Sequence, residues 1–288
     1  MLIEIARLTI NWANFIYFEL KVNTMEKITS ESNKWIKHAA KLGRSHTYRR
    51  EQGQFLIEGV RLCFEAAGYA KIVMAYVTEE ALEKYSSEVD KVIKTASKTC
   101  LVPMPLFRKI SGTKTPQGII CVCEALDKTV STATIEKNGK YLILENLSDP
   151  GNMGTIMRTA DALGMSGLIL AGNCADIYSP KVVRSTMGAI FRLPVYEMAS
   201  AVQAVDCCHE QGLRVWGAVV DSGGLVLSET YIDAPCAIMV GNEGHGLSRE
   251  AIACCDNKVT IDMAGHAESL NASVAASILM WEVCRGRR

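Results

Sequence analysis

The chain has 288 residues, 49% of them hydrophobic and 22% charged, a globular composition with room for two domains. It contains no uninterrupted apolar run of about 18 residues, and Glu4, Arg7, Asn11 and Asn14 break up the fairly apolar start, so neither a membrane span nor a secretory signal is expected and the chain reads as cytoplasmic. The formal net charge of +0 hides a split: residues 1–125 hold 18 Lys and Arg against 13 Asp and Glu, and the remainder holds 13 against 18.

Residues 1–25 are poorly patterned and read as an N-terminal extension, with Met25 as the expected functional start. Asn33 to Leu42 reads as a helix. In and after it, Lys34, Lys37, Lys41, Arg44, Arg49 and Arg50 follow one another with no acid among them, and Trp35 and Tyr48 are interleaved. Such a stretch suits phosphate neutralisation and stacking on bases; a solvated helix face fits this segment equally well. Phe55–Glu58 reads as a strand running into a helix at Val60–Ala67. Ile72–Val77, Cys100–Pro103 and Gly118–Cys123 read as further strands. Residues 26–125 thus form a small α/β domain, and the polar, turn-rich residues 126–139 form a linker. The 11 cysteines include the adjacent pairs Cys207-Cys208 and Cys254-Cys255 but no C-x-x-C spacing. Reduced, mostly buried thiols are expected, with no metal site.

Residues 140–288 alternate strand and helix. The expected strands are Tyr141–Leu144, Gly167–Leu170, Arg192–Val195, Leu213–Val220, Ala237–Val240 and Lys258–Ile261. Helices follow at about 153–163, 180–187, 199–211, 248–255 and 270–285. This alternation implies a mainly parallel sheet with helices on both faces, and ligands in such sheets bind beyond the carboxyl ends of the strands.

Three motifs fall at those ends. In the first, Asp149-Pro150-Gly151 forces a turn and Asn152 is expected to cap a helix. Ile156, Met157, Ala160 and Leu163 form the apolar stripe of that helix, and Arg158 lies roughly opposite. A cation near a helix start is not there to complement the dipole, so Arg158 either faces solvent or meets an anion such as a phosphate. In the second, Ser179-Pro180 opens a helix carrying Lys181 and Arg184, and Gly188 ends it. In the third, Gly241, Gly244 and Gly246 surround Glu243; they form either a tight strand exit or a loop that lets backbone approach a flat ligand. Glu268-Ser-Leu-Asn-Ala-Ser273 then opens the last helix, with Ser269 as the expected cap and Asn271 in need of a hydrogen-bond partner.

Asp149-Pro150, Asn152, Gly154, Arg158-Thr-Ala160, Ser179-Pro180, Gly188, Gly241-Asn-Glu-Gly244 and Ser269-Leu-Asn271, in this order, resemble the SpoU/TrmH family of RNA ribose 2'-O-methyltransferases, in the SPOUT class. Phe55-Leu-Ile-Glu-Gly59 and Thr115-Pro-Gln-Gly118 resemble the RNA substrate-binding domain attached to many members. Met153, Met187 and Ala272 depart from the usual residues without removing a reactive group. The resemblance implies a deep trefoil knot in the C-terminal domain, a homodimer, and S-adenosylmethionine contacted by Gly241, Ile261 and Leu270. It implies Arg158 as activator of the ribose hydroxyl, and Asn152, Glu243, Ser269 and Asn271 as the walls of the catalytic pocket. Arg184 would lie at the dimer interface and serve a neighbouring subunit's site. The expected substrate is rRNA; tRNA, or RNA binding without catalysis, are the alternatives.

Overall fold

The computed structural model describes residues 25–126, 135–220 and 223–285; the expected extension before Met25 and the middle of the expected linker lie outside them. The chain divides into two compact units, one running to Ala125 and including Tyr178–Pro180, the other comprising Leu126–Ile177 and Lys181–Arg288.

The first unit contains strands β1 (Glu26–Lys27), β2 (Gln54–Glu58), β3 (Ile72–Val77), β4 (Thr99–Leu101) and β5 (Ile119–Glu124). They form one sheet in the order β1-β4-β3-β5-β2, parallel from β1 to β3 and antiparallel around β5. Helix α1 (Lys34–Arg44) begins where Asn33 accepts the Trp35 N–H, and it turns Ile36, Ala39 and Leu42 inward. Its basic residues Lys34, Lys37, Lys41 and Arg44 are all exposed; at 100° per residue they share one face. Ser45 then caps a second helix, α2 (His46–Gln52), which stops at Gly53 in the left-handed region (φ 58). Arg49 on α2 corrects the sequence reading: it is buried, and its Nη1 donates to the Leu42 carbonyl at 2.6 Å. It staples α2 to α1 and is withdrawn from the candidate RNA-facing residues. Helix α3 (Val60–Tyr69) follows the expectation, whereas α4 (Glu79–Lys84), α5 (Ser86–Thr95) and α6 (Met104–Phe107) were not anticipated.

The second unit contains β6 (Lys140–Glu145), α7 (Pro150–Leu163), β7 (Gly167–Ala171), α8 (Pro180–Ser185), β8 (Val195–Met198), α9 (Ala201–Glu210), β9 (Arg214–Ala218), β10 (Leu225–Val226), β11 (Cys236–Val240), α10 (Arg249–Cys254), β12 (Asn257–Thr260) and α11 (Ala272–Arg285). Its seven strands lie in the order β10-β12-β9-β11-β6-β7-β8, and every pairing is parallel. Tyr141, Ile143, Ile169, Ala171, Ala237 and Met239 meet α9 and α10 in one core cluster. The alternate residues Leu142, Leu144, Leu168, Leu170 and Ile238 are also buried. Strand pleating sends them to the opposite face, where α7 and α11 pack on each other and α11 touches β6 and β11. Both faces are therefore covered.

Two boundaries differ from the sequence reading. The strand expected at Arg192–Val195 starts at Val195 and runs to Met198, because Ala189–Phe191 forms a tight helical turn before it and Arg192 is turned aside to Asp161 at 2.7 Å. The helix expected at 180–187 stops at Ser185, because Met187 (φ 49) and Gly188 (φ 92) adopt positive φ. All eleven cysteines are free thiols, seven of them buried. Among the described residues, no helix is long and apolar enough to cross a membrane, and no group of three or more His, Cys, Asp or Glu is placed to hold a metal ion.

Candidate active site

Three chain segments meet beyond the carboxyl ends of β6, β11 and β12, and their side chains make one hydrogen-bonded chain. Asp149 caps α7 by accepting the Asn152 N–H at 2.7 Å, with Pro150 as the first helical residue. Asn152 is therefore not the cap, which corrects the sequence reading. Its side chain is freed for tertiary contacts: Nδ2 donates to Glu243 at 3.0 Å, and Oδ1 accepts from Asn271 Nδ2 at 3.0 Å. Asn271 in turn accepts from the Ser273 N–H at 2.9 Å and hydroxyl at 2.6 Å. It thus caps α11, the role expected of Ser269.

Glu243 is, by its side chain, the most heavily bonded member of this chain. Its carboxylate accepts from Asn152, from the Asp149 N–H at 3.0 Å, and from the Ser148 N–H at 3.3 Å and hydroxyl at 3.2 Å. Burial pushes its pKa up, but the hydrogen bonds from Asn152 and from the backbone outweigh this and hold it at about 2. It is an anion under all ordinary conditions, and its oxygens are occupied by the chain's own donors.

The loop carrying Glu243 is closed by its own backbone. Asn242 and Gly246 exchange two hydrogen bonds, 3.0 and 2.9 Å, and Asn242 Nδ2 donates to the Asn146 carbonyl at 2.9 Å. A Cβ at position 241 would lie 2.2 Å from the Gly246 carbonyl carbon and oxygen. Gly241 is thus required by the loop's closure on itself. Gly154 has a similar cause: a Cβ there would lie 2.2 Å from the Ser185 Cβ, so α7 and α8 touch with no room for a side chain.

The profile of the SpoU rRNA Methylase family matches residues 139–281, and that of the MRM3-like substrate binding domain matches residues 33–121. The 23S rRNA (guanosine(2553)-2'-O)-methyltransferase RlmP of Bacillus subtilis is 32% identical over 265 residues, spanning 90% of this chain and 99% of that protein. The 23S rRNA (uridine(2479)-2'-O)-methyltransferase of Streptomyces viridochromogenes is 30% identical over 91% of this chain and 92% of its own length. The AdoMet-bound rRNA methyltransferase of Sinorhizobium meliloti superposes with a TM-score of 0.80 at 28% identity, covering 91% of this chain and 98% of that one. The chain belongs to the SpoU/TrmH family of RNA 2'-O-methyltransferases.

The residues that suggested the SpoU/TrmH family from sequence divide into two groups. Asn152, Glu243 and Asn271 are drawn together. Arg158 lies further along α7 on its exposed face, and among the described residues it makes no side-chain hydrogen bond or ion pair. Ser269 is exposed, precedes α11 and takes no part in the hydrogen-bonded chain. Ile261 lines an open groove of about 420 Å³ together with Tyr231, Asp262, Ile278, Glu282 and Arg285. Gly241 and Leu270 are not among that groove's walls. Ser148, Asp149 and Asn242 also belong to this hydrogen-bonded cluster and were not among the candidate site residues, although Asp149 and Asn242 stand inside the motifs. An Asx directly before Pro at a helix start was the available signal for Asp149; nothing local marked Ser148.

Proposed function

We propose that the protein transfers the methyl group of S-adenosylmethionine to a ribose 2'-hydroxyl of structured RNA, with rRNA as the substrate class. The observation that carries this reading is the chain Glu243–Asn152–Asn271, which joins two of the family motifs and the opening of the last helix at one end of a parallel sheet. Two relatives named above act on 23S rRNA and a similar solved structure is an AdoMet-bound rRNA methyltransferase, which favours rRNA over tRNA.

Gly241, Ile261 and Leu270 would hold the cofactor through main-chain atoms. Residues 262–270 carry no regular secondary structure, and among the described residues their peptide groups make no backbone hydrogen bond. They leave donors and acceptors for a ligand to use. Bound there, S-adenosylmethionine would supply an electrophilic methyl on a sulfonium. Arg158 would hold the ribose hydroxyl or its flanking phosphate and stabilise charge growing on the attacking oxygen. Arginine stays protonated, so its part is polarisation rather than proton removal. Glu243, ionised and already bonded, would fix the loop geometry on which in-line alignment depends. Asn152, Asn271 and Ser269 would shape the pocket around the hydroxyl.

The same reading includes the family's trefoil knot and a homodimer. Val274 (46% exposed) and Trp281 (58% exposed) are seven residues apart on α11 and so share one face; an apolar face of this kind supports burial against a second copy. Arg184 would then serve the neighbouring subunit's site. In the first unit, the exposed Lys34, Lys37, Lys41, Arg44 and Arg50 would grip RNA phosphates. Trp35 and Tyr48 would stiffen that surface rather than stack on bases, since both pack against the core and carry Lys34 and Lys41 over their rings at 4.9 and 5.4 Å.

Incubation with tritium-labelled S-adenosylmethionine and separated rRNA and tRNA pools tests the reading. Label is expected in rRNA; label confined to tRNA would move the substrate class, and no transfer to either would refute the activity.

A further inference from the structure

The site described above is held from one side by Glu243. A second carboxylate, which the family motifs do not single out, holds it from the other. Glu145 is the last residue of β6 and only 6% exposed. Its Oε2 accepts the Ser248 N–H at 2.8 Å, and its Oε1 accepts the Ser248 hydroxyl at 2.7 Å. Among the described residues Glu145 has no ion-pair partner. A buried carboxylate held only by neutral donors is costly to keep, so its two hydrogen bonds carry a defined task.

Ser248 closes the loop that starts at Gly241, and its hydroxyl also accepts the Ala251 N–H at 3.0 Å, capping α10. The two clamps therefore cross. The strand residue Glu145 grips the far end of the loop at Ser248, and the loop residue Glu243 grips the turn after the strand at Ser148, Asp149 and Asn152. Between them the loop closes through Asn242 and Gly246. With one clamp the loop could pivot; with both, its position against β6 is set before any ligand arrives.

The structure assigns Glu145 as a positioning residue that, through Ser248, presets the Gly241–Leu247 loop for the methyl donor. This rests on the cofactor reading given above, and Glu145 itself touches no reactant. Hydrogen exchange of the Asn242 and Gly246 amides in the ligand-free protein, paired with calorimetric titration of S-adenosylhomocysteine, tests it. Ser248→Ala, which keeps the backbone donor, and Glu145→Gln, which keeps the volume, are the variants; Ser248→Thr is the conservative rescue. Faster exchange at both amides and affinity weakened about tenfold or more are expected for Ser248→Ala and Glu145→Gln, with turnover at saturating donor within about threefold of wild type. Ser248→Thr is expected to restore both. Should Glu145→Gln fail to fold, Ser248→Ala with its Thr rescue decides alone. Folded variants with wild-type exchange and affinity would overturn the assignment. A wild-type protein that binds no S-adenosylhomocysteine would instead overturn the cofactor reading on which it rests.

Discussion

Arg158 and Glu243 are the charged residues to which the proposed function gives a part, and their surroundings differ. Arg158 is exposed and engaged with nothing in the described chain, whereas Glu243 is occupied by Asn152, Ser148 and Asp149. We therefore expect Arg158→Ala to lower single-turnover methyl transfer by about 100-fold or more while leaving calorimetric affinity for S-adenosylhomocysteine within about twofold; a matching loss of affinity would place Arg158 in cofactor binding instead. For Glu243 the prediction concerns pH. Its carboxyl is held at about 2, below the ordinary 4.5, so the folded state binds its proton less readily than the unfolded state. The stabilisation is present above the unfolded pKa and is lost as pH falls from 4.5 towards 2. Urea unfolding of wild type and Glu243→Gln across that range should show a stability difference that shrinks with acidification, and a difference independent of pH would contradict the hydrogen-bonded anion. Asn152 shows why residue roles were only partly legible. The sequence marks a helix start here and offers two Asx residues as its cap. Pro150 was the clue that chooses between them, because it fits the first helical position and so makes Asp149 the cap, which frees Asn152 for the site.

At the scale of elements, the contact of α7 with α8 and the face of α1 each carry a test. Gly154→Ala would force a Cβ to within 2.2 Å of the Ser185 Cβ, and overpacking of this kind costs about 1–3 kcal/mol. Combining it with Ser185→Gly should recover part of that loss, measured by denaturant midpoint; full additivity of the two changes would show that the helices do not clash there. On α1, Lys34, Lys37, Lys41 and Arg44 lie along one exposed stripe. Each Lys→Ala should weaken RNA binding uniformly across sequences and lower the slope of log affinity against log salt by about 1; unchanged slopes would return the stripe to a solvated face. Long periodic segments were readable in advance: α1, α3, β3, β6, β7, β11 and the two long helices α7 and α11 stand within a few residues of expectation. The misses have several causes. Helix α4 has only 6 residues, and its start rests on Thr78, which accepts the Ala81 N–H, rather than on an extended apolar stripe; α6 has only 4 residues, and neither it nor α5 has a side-chain cap to mark its start. The strand at Val195–Met198 was displaced because Phe191-Arg-Leu-Pro is as apolar as a strand yet turns, with Arg192 drawn to Asp161. Arg49 belongs with these misses, since no local pattern distinguishes a guanidinium that reaches back to a carbonyl from one that faces solvent.

Taken whole, the molecule pairs a smaller unit matched by a substrate-binding profile with a parallel α/β unit whose strand ends bring Asn152, Glu243 and Asn271 together. Light scattering on the full chain should give twice the 31.5 kDa of one copy, and Trp281→Glu should shift it to a monomer; a monomeric wild type would remove the dimer from the account. The central claim is the chemistry. A 2'-O-methyl group blocks the hydroxyl that attacks the neighbouring phosphate in alkali, so the bond beside it survives alkaline hydrolysis. The decisive measurement is therefore alkaline digestion of rRNA methylated in vitro by this protein with labelled S-adenosylmethionine. The account predicts label in an alkali-resistant dinucleotide, absent with Arg158→Ala; label released entirely as mononucleotides would place the methyl on a base and contradict it.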